Sequence, residues 1–202
     1  MRMLALLLAF VAPSLLAAQE SFDLPALYDV SGVASNDTLN VRAGPTVNAP
    51  VLDELGPERD GIEVLAFDGD RKWGRINIGE GAGWVSMAYM SRQPGQNPVS
   101  KLPVPLFCGG TEPFWSLEIG QGQVTFTDPG MDADPLVQEI EYEGTVPWSP
   151  RGAIVAGDIT GFVSREACSD GMSDRQYGWR IDFLRSGNGG HFMFSGCCSL
   201  QN

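Results

Sequence analysis

LNVRAGP, residues 39–45, and GWVSMAYM, residues 83–90, decide how the chain is read. TLNVRAGP reads as a strand stopped by Gly44-Pro45, a turn signal. Downstream, GIEVLAF (61–67) alternates Ile62, Val64 and Ala66 against Glu63 and Leu65. KWGRINIG (72–79) and AGWVSMAYM (82–90) supply two more strands, with GEGAG (79–83) turning between them. Short strands, glycine turns and almost no helical periodicity predict a small all-β barrel. Trp84, between Gly83 and Val85, is expected in its core.

The first residues carry an address. MRMLALLLAFVAPSLLAAQE places Arg2 beside the amino terminus, then an apolar run from Leu4 to Ala12, then small residues at Ala17 and Ala18. That is the pattern of a secretory leader cut near Ala18. The run is shorter than the roughly 20 residues of a spanning helix, so no stable membrane anchor is expected. A periplasmic or secreted protein follows.

Loss of Arg2 with the leader moves the formal charge from −12 to −13. A surface this acidic repels phosphate, which argues against nucleic acid and favours basic partners. Cys108, Cys168, Cys197 and Cys198 all lie in the second half of the chain. In an exported protein an even count reads as disulfides. Pairing the neighbours Cys197 and Cys198 would strain the ring between them. On a strand they point to opposite faces, which suits two different partners. Either remaining pairing ties the C-terminus to both Cys108 and Cys168.

SRQPGQNPVSKLPVPLF (91–107) carries Pro94, Pro98, Pro103 and Pro105 and reads as a semi-rigid linker. The organisation expected is therefore a leader at 1–18, a first domain at 24–91, a linker at 92–107 and a second domain at 108–202. In the second domain, Trp115, Leu117 and Ile119 alternate with Ser116 and Glu118 before Gln121-Gly122 turns the chain towards Val124 and Phe126. Trp179, Ile181 and Phe183 form the apolar face of another hairpin, which Phe192 and Phe194 continue after SGNGG (186–190). AIVAG (153–157) and DITGFVS (158–164) add short strands. The second domain is expected to be a disulfide-stabilised β-barrel or sandwich.

The segment from about Leu24 to Ser91 resembles the bacterial SH3 domains of exported proteins. The likeness rests on Leu39-Asn40-Val41-Arg42, Gly44-Pro45, Glu63-Val64-Leu65, Trp73 and Gly83-Trp84-Val85, in that order. Arg75-Ile76-Asn77 is more polar than that pattern usually is. The resemblance implies binding of peptidoglycan stem peptides or an envelope protein in a shallow groove with aromatic faces. Trp73 and Tyr89 are the candidate faces, and Arg42 is the group able to fork onto a carboxylate. Arg42 has a plainer reading as well, as a cap on turn carbonyls.

Cys108-Gly-Gly-Thr-Glu-Pro-Phe-Trp-Ser116, Cys168-Ser-Asp-Gly-Met-Ser-Asp-Arg175 with Tyr177, and Gly196-Cys197 resemble an uncharacterised family of secreted bacterial proteins. That family is loosely similar to small META-type and lysozyme-inhibitor-like barrels. The likeness implies a fold and an exported life, and no catalytic role comes with it.

No catalytic, metal or cofactor constellation emerges. His191 is the single histidine and falls on the polar side of its hairpin with Met193 and Ser195. A Cys–His nucleophile would need a reduced thiol in an oxidising compartment. Glu112 with Asp170 or Asp174 forms no pair the sequence can bring together, and CSDGMSDR reads as a turn held by side-chain-to-backbone bonds. Glu112-Pro113 is read as entry to a buried strand. Asp128, Asp132 and Asp134 miss the spacing of a calcium loop. Zinc lacks soft ligands, and no glycine-rich phosphate loop joins a strand to a helix.

A non-enzymatic exported binding protein is therefore expected, docking through Arg42, Trp73 and Tyr89 on wall peptides or an envelope protein. The alternative is an inhibitor of a basic, lysozyme-type wall hydrolase, since an acidic surface speeds encounter with a cationic enzyme.

Overall fold

In a computed structural model that describes residues 24–96, 101–130, 134–145, 149–187 and 189–200, the chain is all-β with two separate hydrophobic cores. The expected leader lies outside the described residues, as does Asp132.

The first half contains β1 (Ala26–Val30), β2 (Leu39–Arg42), β3 (Val51–Leu55), β4 (Ile62–Val64), β5 (Ala66–Phe67), β6 (Trp73–Ile78), β7 (Gly81–Ser86) and β8 (Met90–Arg92). They form two sheets in the orders β4-β1-β8 and β3-β2-β7-β6-β5. Val41, Val64, Ile76 and Val85 are buried between them. A 3₁₀ turn, Met87–Tyr89, joins β7 to β8. Its first N–H, from Met87, donates to the Lys72 carbonyl at 2.8 Å and pins the turn to the start of β6.

The second half contains β9 (Leu106–Thr111), β10 (Phe114–Gly120), β11 (Gln123–Thr127), β12 (Leu136–Glu139), β13 (Tyr142–Thr145), β14 (Arg151–Ala156), β15 (Ile159–Cys168), β16 (Tyr177–Gly187) and β17 (Gly190–Ser199). One antiparallel sheet, in the order β12-β11-β10-β9-β17-β16-β15-β14-β13, curls around the second core as a half-barrel. Trp115 packs edge-on against Phe183 and Phe194, with centroids 5.1 and 5.9 Å away. Such aromatic pairs add about 0.5–1.5 kcal/mol each beyond the area they bury. The indole needs room, and glycines make it. A Cβ at Gly110 would meet the indole nitrogen, and one at Gly196 would meet both the indole and the Gly109 carbonyl.

Both disulfides end on β17. Cys198 points into the core and bonds Cys108, its register partner on β9. Cys197 points outward and bonds Cys168 at the end of β15. The sequence left two pairings open, and the pleat chooses between them: Cys108 shares the inner face with Cys198.

Several local expectations change. Glu112-Pro113 is the exposed two-residue turn of the β9–β10 hairpin, and Phe114 beyond it is 61% exposed. Phe192 is half-exposed because it sits at the hairpin tip, past the end of the core. The Pro-rich segment is pinned at both described ends. Gln96 caps Leu27, accepting from its N–H at 2.6 Å and donating to its carbonyl at 2.8 Å. Leu102 is buried in the second core, where Gly152 leaves space for it.

The halves meet through named contacts. The Asn77 amide donates to the Gln176 carbonyl at 2.7 Å and accepts from its N–H at 3.0 Å. The Asp174 N–H donates to the Glu80 carbonyl at 2.9 Å. Pro25 lies so close over Gly178 that a Cβ there would strike its ring. Glu63, whose alternation predicts the solvent side of β4, is buried because this junction covers that side.

Candidate functional sites

Across the five-stranded sheet of the first half, the register sets Val51, Arg42, Trp84, Arg75 and Ala66 in one row. Residues directly opposite one another share a face, and their neighbours Val41, Val85 and Ile76 are buried. The row therefore faces outward. Gly83 enforces it: a Cβ there would come to 2.5 Å from Val41 Cγ1, so only glycine fits inward and Trp84 is turned out. The expected core placement of Trp84 is thus corrected: the residue is half-buried, with Arg42 and Arg75 as its register neighbours.

The Arg75 guanidinium carbon lies 5.9 Å from the Trp84 ring centroid, within cation–π range. Arg75 Nε has no hydrogen-bond partner among the described residues. Arg42 Nη1 donates to the Ala49 carbonyl at 2.9 Å, so this side chain does cap its turn.

Trp73 opens β6 opposite Ser86, the residue before the 3₁₀ turn that carries Tyr89. Trp73 is half-buried and Tyr89 is 43% exposed. These two belong to one end of the sheet, while Arg42 sits in its middle with Trp84. The aromatic the sequence reading missed is Trp84, and the cation it missed is Arg75. The alternation of Gly83, Trp84 and Val85 was the available signal.

A second groove, about 480 Å³ in volume, lies on the outer face of the second half. The register lays its floor in two rows. Cys197, Gly109, Ser116 and Thr127 form the first; Ser199, Phe107, Glu118 and Thr125 form the second. The 168–177 loop is the wall, held over the sheet by Cys168–Cys197 and by the Thr111 hydroxyl, which donates to the Asp170 carbonyl at 3.3 Å. The two cysteine motifs of the second half thus converge on one place.

Asp170 holds that loop together. Its carboxylate accepts from the Met172 and Ser173 N–H groups at 3.0 Å each, from the Ser173 hydroxyl at 2.7 Å and from Tyr177 at 3.3 Å. Partial burial would raise its pKa, and these hydrogen bonds outweigh that and lower it. Arg175 lies beside the Tyr177 ring, 5.8 Å from its centroid, and its Nε has no partner among the described residues.

His191 is exposed and shares a 2.9 Å hydrogen bond with Ser186, and all four cysteines are oxidised. Among the described residues no group of three or more potential ligands is placed to hold a metal.

No curated protein and no solved structure matches the chain, and the motifs of the second half are supported by no family match. Residues 37–91, which carry β2 to β7 and the Trp84 row, match the family described as bacterial SH3 domain.

Proposed function

We propose that the protein is an exported, non-enzymatic binding protein that docks on peptidoglycan stem peptides through the outer face of its SH3 domain. The carrying observation is the Arg42–Trp84–Arg75 row on an outward face, in which the Arg75 guanidinium lies against the indole and Arg42 is the register neighbour on its other side. Stem peptides present free carboxylates on a short extended chain. Guanidinium forks suit such carboxylates, and the indole gives the chain an apolar face to lie on. Trp73 and Tyr89 extend the aromatic surface at one end. The leader pattern with cleavage near Ala18, and two disulfides, support an extracytoplasmic setting. Export also places the acidic chain where the wall is its neighbour.

Sedimentation with intact peptidoglycan sacculi tests this reading. Retention of the exported protein in the pellet, reversed by soluble stem peptide, is the expected result. A protein that stays in the supernatant at low salt overturns it.

A further inference from the structure

We propose that the groove between the outer face of β9–β11 and the 168–177 loop binds a saccharide of one or two rings. Its volume, about 480 Å³, lies in the range of small-ligand sites. The chemistry of the floor narrows the class of ligand. β9, β10 and β11 each have a strand neighbour on both sides, so none of them is a free edge of the sheet. A peptide main chain would find no ladder to join there. Recognition falls to side chains.

Those side chains stand ready. Ser116, Thr125, Thr127 and Glu118 make no side-chain hydrogen bond to another described residue. Hydroxyls donate and accept, a carboxylate accepts from two adjacent hydroxyls, and Arg175 only donates. Vicinal ring hydroxyls and acetamido groups offer the complementary set. Phe107 on the floor and Tyr177 on the wall give ring faces against which the C–H face of a sugar packs. Glu118 and Arg175 carry opposite charges, so the groove has no single-sign field of the kind that selects a phosphate or a polycation.

Gly109 makes the hollow. Cys108 turns inward to its disulfide, so the missing side chain of Gly109 is on the groove side. A Cβ there would touch only the Trp115 carbonyl oxygen, at an ordinary 3.5 Å. A larger residue at this position fills the groove without entering the core.

Calorimetric titration of the exported protein with N,N′-diacetylchitobiose and with cellobiose tests the proposal, with tri-alanine as the peptide control. Saturable binding of at least one disaccharide is expected, weakened tenfold or more in Gly109→Leu and in Ser116→Ala/Thr127→Ala. Trp84→Ala is expected to bind the sugar as the parent does. A preference for chitobiose assigns acetamido sugars, and a preference for cellobiose assigns neutral glycans; either supports the proposal. It is overturned if neither disaccharide saturates, or if binding is equal in the groove variants. Tri-alanine binding that disappears in Gly109→Leu overturns it as well. The exposed hydroxyl variant decides the matter should Gly109→Leu fail to fold. Because Trp84 belongs to the other half, failure here leaves the stem-peptide reading standing.

Discussion

The Leu200 N–H donates to the buried Glu63 carboxylate at 3.1 Å, joining the end of β17 to β4 across the boundary between the two cores. Burial raises the Glu63 pKa from its ordinary 4.5 to about 7, against the pull of this hydrogen bond and of the Arg175 charge. The folded protein thus holds the proton more tightly than the unfolded chain. The stability that follows is fully present below pH 4.5 and is lost as pH rises through 7. At 1.36 kcal/mol per pKa unit, the total is about 3 kcal/mol. Glu63→Gln keeps an oxygen for Leu200 and removes the titration. Denaturant melts from pH 4 to 8 are expected to show the parent weakening across this window and Glu63→Gln staying level. Parallel profiles would contradict the assignment.

Room for Trp115 depends on having no side chain at Gly196. A Cβ there would run into the Gly109 carbonyl, which belongs to a paired strand and has little freedom to move. Gly196→Ala is expected to lower unfolding stability by about 2–3 kcal/mol, the usual cost of overpacking. Chemical denaturation read by tryptophan fluorescence measures it.

The outer disulfide closes a 29-residue separation between Cys168 and Cys197. The chain-entropy relation gives about 3–4 kcal/mol for a loop of that size. Replacing both cysteines by serine is expected to cost that much and to free the 168–177 loop. Amide hydrogen exchange at Met172 and Ser173, which donate to Asp170, reports the loosening.

Arg42 and Arg75 are the two register neighbours of Trp84 but differ in their second duty. Arg42 also caps the Ala49 carbonyl, so Arg42→Ala is expected to lose about 1 kcal/mol of stability along with sacculus binding. Arg75→Ala is expected to lose binding alone. Melting curves run beside pelleting assays separate the two effects.

The all-β class was legible because β2, β6, β10 and β16 each bury alternate residues, and that pattern is printed in the sequence. β3 was not, since all five residues of VLDEL stay exposed or half-exposed and the strand leaves no apolar period. Glu63 misled for a related reason. Its neighbours mark the barrel's own inside, but nothing local records that a second half covers the outside. Trp84 was assigned to the core from its place between Gly83 and Val85, where the tight fit of Gly83 against Val41 decides its direction. The groove on the second half required the fold. Its rows bring together residues from β9, β10, β11, β17 and a disulfide-tied loop, and only the register makes them neighbours.

The most direct test of the central claim is an ¹⁵N chemical-shift titration of the exported protein with the stem tripeptide L-Ala-γ-D-Glu-meso-diaminopimelate. Saturable shifts centred on the Trp84 indole and on Arg42 and Arg75 are expected, with the second-half groove unmoved and the response at least tenfold weaker in Trp84→Ala. No saturable shift, or shifts confined to residues away from that row, would contradict the reading of this face as a wall-peptide site.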